Sequence, residues 1–182
     1  MTFSDDFARD DSATIGNGWV EATGSFSITG GELRSGPTRA LHMAMRPDLA
    51  GSEERVAATF ASTDNNYSPR FGLIMRYRDA LNYYICYRMS GGTSVLRISK
   101  VVNGLETVLK SAPVANPAKD AKFRLTCSAE SSTLTLELGS SSLTASDSSF
   151  SIGSVGLVMG SVWQLGGKGP SHRADDFTAS AQ

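Results

Sequence analysis

The chain has 182 residues, of which 40% are apolar and 19% charged, with 18 glycines, a balance that fits one folded, turn-rich β domain over 1–182 and excludes a disordered chain. A formal net charge of −1 leaves no footprint for duplex nucleic acid, whose binding rests on clustered Lys and Arg against phosphates. The opening MTFSDDFARD has neither a basic nor an apolar leader region, and no apolar run reaches membrane-spanning length, so synthesis in the cytoplasm without membrane insertion is expected.

Thr2 to Phe7 reads as a first strand, and the Gly16-Asn17-Gly18 turn precedes the segment Trp19 to Ile28. Gly30-Gly31 marks a tight hairpin, followed by strands at Glu32 to Arg34 and Arg39 to Arg46, and Pro47 to Ser52 breaks the pattern. Glu53 to Ser62 resumes it with Val56, Ala58 and Phe60 on one face, allowing at most a helical turn near Ser52 to Arg55. After the loop Thr63 to Ser68 comes the central stretch, Pro69 to Met89. Its odd positions form two apolar rows, Phe71, Leu73, Met75, Tyr77 and Tyr83, Ile85, Tyr87, Met89, which is strand periodicity. If both rows face one core, Tyr77 pairs with Tyr83 and Arg76 with Tyr84, and the turn is Arg78 to Asn82. Gly72, Arg76, Tyr84 and Arg88 then share the opposite face, around a glycine-sized gap.

Thr93 to Val102 and Leu105 to Ser111 form a hairpin about Asn103-Gly104. Ala121 to Ala129 places Phe123, Leu125 and Cys127 on one face, and Ser131 to Leu138 repeats the alternation with Leu134, Leu136 and Leu138. A Ser-rich stretch, Ser140 to Ser151, leads to a glycine-spaced strand at Ser154 to Trp163 and a loop at Gly166 to Pro170. The last strand, His172 to Ser180, carries Asp175-Asp176-Phe177, echoing Asp5-Asp6-Phe7. The echo sets the terminal strands side by side, each protecting the other's edge. About a dozen strands spaced by turns imply two stacked antiparallel sheets. Cys86 and Cys127 lie in strand-like segments without a CxxC or a His neighbour, and read as free thiols in preference to a bridge or a zinc site.

The opening FSDDFARDDSATIGNGWVEATGSFSITGGELRS, the central FGLIMRYRDALNYYICYRM and the closing SVGLVMGSVWQLGGKGPSHRADDF together resemble the concanavalin A-like lectin/glucanase superfamily, in particular LamG-like jelly-roll domains. The resemblance spans nearly the whole chain. It implies an all-β, two-sheet antiparallel jelly-roll β-sandwich, of a kind found in phage structural and bacterial surface proteins, with relatives that bind sugars on the concave sheet or its rim loops. Fold alone does not assign activity.

A glycosidase needs two carboxylates at a set separation, and hydrolases of this superfamily carry them as E-x-D-x-x-E on one strand. That pattern is missing: Glu137 stands alone in LTLELG, and Glu53 and Glu54 point to opposite faces of a strand. His42 and His172 make no triad pattern, and Gly166-Gly167-Lys168-Gly169 is not a P-loop. Asp5, Asp6, Asp175 and Asp176 converge if the termini pair, which would suit calcium, unless Arg9 and Arg173 neutralise them. Arg76, Tyr84 and Arg88, beside Gly72, form the candidate ligand face: an aromatic ring stacks on a sugar and guanidinium forks take hydroxyls or carboxylates. The competing reading is a solvated outer face with the arginines held by acidic neighbours. Trp19 and Trp163 are core fillers or rim platforms.

The expectation is therefore a non-catalytic module requiring no cofactor, with calcium as the one candidate ion. It would be a virion decoration or tail protein, partnered by other virion proteins, by surface glycans and by copies of itself. The alternatives are a purely structural virion component and a divergent glycosidase or lyase.

Overall fold

The computed structural model describes residues 1–38, 40–63, 68–161 and 172–182. Trp163, the start of the strand expected at Arg39, most of the loop before the central stretch and Gly166 to Pro170 lie outside the described residues. In chain order the strands are β1 (Thr2–Asp5), β2 (Val20–Thr23), β3 (Phe26–Thr29), β4 (Glu32–Ser35), β5 (Leu41–Gly51), β6 (Glu54–Ala61) and β7 (Arg70–Asp79). They continue as β8 (Asn82–Met89), β9 (Val95–Val102), β10 (Leu105–Pro113), β11 (Lys122–Glu130), β12 (Thr133–Leu138), β13 (Ser141–Ser146), β14 (Gly153–Gly160) and β15 (Arg173–Ala181).

Two antiparallel sheets result. One has eight strands in the order β13-β12-β11-β6-β15-β4-β3 with β1 added to β15; the other has seven, in the order β10-β9-β8-β7-β14-β5-β2. Their facing rows, among them Phe26, Leu33, Val56, Phe60, Phe71, Leu73, Leu125, Leu134, Leu157 and Phe177, build the main core. The terminal strands pair as the DDF echo predicts, with Asp5 opposite Phe177. Pro47 does not end a strand: β5 runs through it, and the slip against β14 between Arg46 and Ala50 absorbs the proline in a bulge. The Ser-rich stretch likewise contains an edge strand, β13.

The central hairpin corrects the expected register. From Arg70 to Met75 the partners run Arg70 to Met89, Leu73 to Cys86 and Met75 to Tyr84, whereas Asp79 pairs with Asn82. The extra residues in β7 are taken up at Arg76, whose φ of 47° marks a bulge. Gly153 makes room for it, since a Cβ there would stand 2.2 Å from the Arg76 carbonyl carbon. Phe71, Leu73 and Met75 accordingly point inward with Tyr84, Cys86 and Arg88, while Gly72, Ile74, Ile85 and Tyr87 point outward. The inward set belongs to the main core, whereas Ile74, Tyr83, Ile85 and Tyr87 join a second apolar cluster. With both faces of this sheet apolar, alternation alone cannot choose which row faces inward.

The same register turns Cys86 inward on β8, where it is bridged to Cys127 on β11. The expectation of free thiols is thus overturned. The bond crosses the core and ties one sheet to the other, and both half-cystines are fully buried.

Candidate functional site

Arg76, Tyr84 and Arg88 are 1%, 0% and 5% exposed and work inside the fold. Arg76 donates to the carbonyls of Phe150 at 2.7 Å, Ser52 at 2.8 Å and Ser131 at 2.7 Å, clamping three loops at one end of the sandwich. The Tyr84 hydroxyl donates to Asp147 at 2.6 Å and accepts from the Phe150 N–H at 3.1 Å. Burial, reinforced by the Asp147 carboxylate, pushes the Tyr84 phenol up to about 12. Burial alone would raise Asp147 too, but Lys100 at 2.7 Å, Ser149 and Tyr84 hold it well below the usual carboxylate range. Arg88 lies with its guanidinium 4.6 Å from the centre of the Phe123 ring and donates to the Ala115 carbonyl, and burial lowers its pKa. Gly72 sits on the other face. A Cβ there would meet Tyr87 Cβ at 2.8 Å and Val158 Cγ1 at 3.1 Å, so the missing side chain admits Tyr87 and leaves no slot for a sugar.

The acidic cluster is also divided. Asp5 is buried and accepts from the Phe7 N–H at 2.9 Å, Arg9 at 2.7 Å, Asn17 at 3.0 Å and the Trp19 indole at 2.9 Å. Burial raises the Asp5 carboxyl, and these donors more than reverse the effect, so its pKa is lowered. Four donors fill the acceptor sites of one carboxylate. Asp5 is the polar hub of an aromatic cluster in which Trp19 packs on Phe177 at 4.7 Å, Phe3 at 5.9 Å and Phe7 at 6.1 Å, which makes Trp19 a core residue. Asp6 and Asp176 line a cleft with Asp5, Arg9 and Arg124, while Asp175 is drawn to Lys122 at 3.3 Å. Among the described residues no group of three or more His, Cys, Asp or Glu side chains is arranged to hold a metal ion.

The outer face of the seven-stranded sheet carries what sequence reasoning missed. Met43, Met45, Ile74, Tyr83, Ile85, Tyr87, Val101 and Val158 form an apolar floor, joined by half-buried Tyr77 and Met89. Tyr77 and Tyr83 stack with ring centres 6.0 Å apart. Tyr87 pairs across the ladder with Arg97. Its hydroxyl donates to Glu106 at 2.6 Å and receives Arg97 at 3.5 Å, and Arg70 binds Glu106 at 2.8 Å with its guanidinium 4.8 Å from the centre of the Tyr87 ring. Burial raises the Tyr87 phenol, with the Glu106 carboxylate adding to it against Arg70. Tyr83 and Tyr87 are 7% and 0% exposed, so this cluster is itself buried. What it presents outward is the half-buried Tyr77 ring and the guanidinium forks of Arg70 and Arg97. Its trace in the sequence was the lone Arg97 in the otherwise neutral row Val95, Ser99 and Val101, with Glu106 on the next strand, and the two were unreadable together until the register assigned them to one face.

The two packed sheets, with their terminal strands paired, define a concanavalin A-like jelly roll. This architecture is shared with the carbohydrate-binding module CBM66 from Bacillus subtilis, at TM-score 0.75 and 20% identity over 90% of this chain and 96% of that one. It is also shared with the CBM2 module of the evolved Dit of Lactobacillus casei BL23 phage J-1 (TM-score 0.61, 12% identity, 97% and 94% covered). The Bacillus licheniformis β-glucanase is similar as well (TM-score 0.67, 11% identity, 100% and 98% covered). No protein-family model and no curated protein sequence matches the chain.

Proposed function

We propose that this protein is a non-catalytic carbohydrate-binding module whose ligand lies on the outer face of the seven-stranded sheet. The observation that carries the reading is the Arg70, Glu106, Tyr87 and Arg97 network on that face, with the half-buried Tyr77 and Met89 in the same cluster. Aromatic rings take the apolar face of a pyranose, and guanidinium groups take its oxygens. The likeness to two carbohydrate-binding modules supports this assignment. Glu106, the carboxylate beside Tyr87, is committed to Tyr87 and Arg70, whereas glycoside hydrolysis needs an acid and a partner carboxylate.

A virion setting, with other virion proteins as partners, is part of the proposal and draws support from the phage J-1 module. The core disulfide favours a place of work outside the reducing cytoplasm. No metal is required, because Asp5, the best-placed ligand at the termini, has its acceptors filled by protein donors.

The test is a glycan array read with the protein displayed multivalently, in EDTA and in calcium alike. Binding should appear in both conditions without release of sugar, and Tyr77→Ala, at a half-buried ring, should weaken it about tenfold or more. Arg124→Gln on the opposite sheet should leave it unchanged. Absence of any glycan binding would leave the purely structural role in its place.

A further inference from the structure

The glycan face carries a charge imbalance that narrows its ligand. Following the ladder alternation outward from Tyr87 across β7 to β10, the charged side chains around it are Arg70, Arg97 and Glu106. Glu106 is satisfied from within, one oxygen taking Arg70 and the other the Tyr87 hydroxyl. Burial would raise the Glu106 carboxyl, but the Tyr87 hydroxyl and the Arg70 charge outweigh it and hold the group below its ordinary value. Glu106 and Arg70 therefore cancel.

Arg97 is left over. Among the described residues it makes no ion pair. Its bond to the Tyr87 hydroxyl, at 3.5 Å, is at the outer limit for a hydrogen bond, and its Nε is buried without an acceptor. A guanidinium presents five N–H donors in a planar fork that matches a carboxylate. Held at the edge of an apolar floor, this fork has charge and donors that a neutral sugar hydroxyl meets only in part.

We propose that the face selects glycans that bear a carboxylate, with Arg97 as the fork that receives it; this rests on the glycan-binding reading above. Uronic and sialic acid units share that chemistry, and the arms of the experiment separate them. Oligogalacturonate, glucuronate-containing glycans and sialylated glycans are each presented beside their carboxyl-reduced counterparts to the intact, disulfide-bonded protein. The carboxylated member of at least one pair should bind about tenfold or more tightly than its reduced partner. Arg97→Gln should bring that ratio to about twofold or less while binding of the reduced glycan persists, and Arg97→Lys, which keeps the charge but loses the fork, should fall between. Arg124→Gln should keep the full preference.

Equal binding of the reduced glycans, or a preference that survives Arg97→Gln, overturns acidic selection and leaves glycan binding standing. Failure of every pair to bind overturns both.

Discussion

Glu54 enters the core 2% exposed, beside the bulge residue Arg76, and its Oε2 accepts the Arg76 backbone N–H at 2.8 Å. Arg76 spends its guanidinium on three loop carbonyls. Burial pushes the Glu54 carboxyl from 4.5 up to about 8, against the opposing pull of the Arg76 N–H and charge. Between those values the native state holds a proton that the unfolded chain has released, so this group's stabilisation is full below about 4.5 and is lost as pH rises through about 8. The urea midpoint should thus fall between pH 5 and pH 8. Glu54→Gln, neutral and of the same shape, should flatten that slope and be the more stable protein at pH 8 by on the order of a few kcal/mol. A slope unchanged in Glu54→Gln would assign the proton to another group.

Strand β8 serves both faces of its sheet. Inward it sends Tyr84, Cys86 and Arg88, outward Tyr83, Ile85 and Tyr87. The Cys86–Cys127 bridge, spanning 41 positions of sequence, pins that strand to β11 of the other sheet through the core. Closing a loop of that length in the unfolded chain is worth about 4 kcal/mol in the chain-entropy model. Thiol titration of the denatured, unreduced protein should find no free thiol. The Cys86→Ser, Cys127→Ser double variant should lose several degrees or more of melting temperature. A full count of two thiols in protein kept from reductants would refute the bridge.

At the scale of the whole molecule, the sandwich sets an apolar, tyrosine-rich sheet face on one side and Arg55 and Arg124 among threonines and serines on the other. A single shallow sugar site makes few contacts, and its hydrogen bonds compete with water. Monovalent affinity should lie in the millimolar to micromolar range, about −4 to −8 kcal/mol. Display of many copies on one particle should raise apparent affinity by about a hundredfold or more through effective concentration alone. Calorimetry on the monomer beside surface binding of a multivalent form checks this. Nanomolar monovalent binding, or no gain on clustering, would contradict a weak surface module.

From the sequence alone one could determine the strand and turn pattern, the two-sheet class and the pairing of the chain ends, because alternation and Gly or Asn turns are local signals. The disposition of the central hairpin was not local. Phe71, Leu73 and Met75 on one face and Ile74, Ile85 and Val158 on the other are equally apolar, so the bulge at Arg76, seated against Gly153 from a strand far along the chain, decided the register. With that register Arg76, Tyr84 and Arg88 became internal fasteners, Cys86 met Cys127, and Gly72 became the space into which Tyr87 packs. Arg70, Arg97 and Glu106, from three separate strands, were brought onto one outer face only when the ladders were in place. Periodicity reports that a strand has two faces, and only the packing of the other sheet determines which of them is left for a ligand.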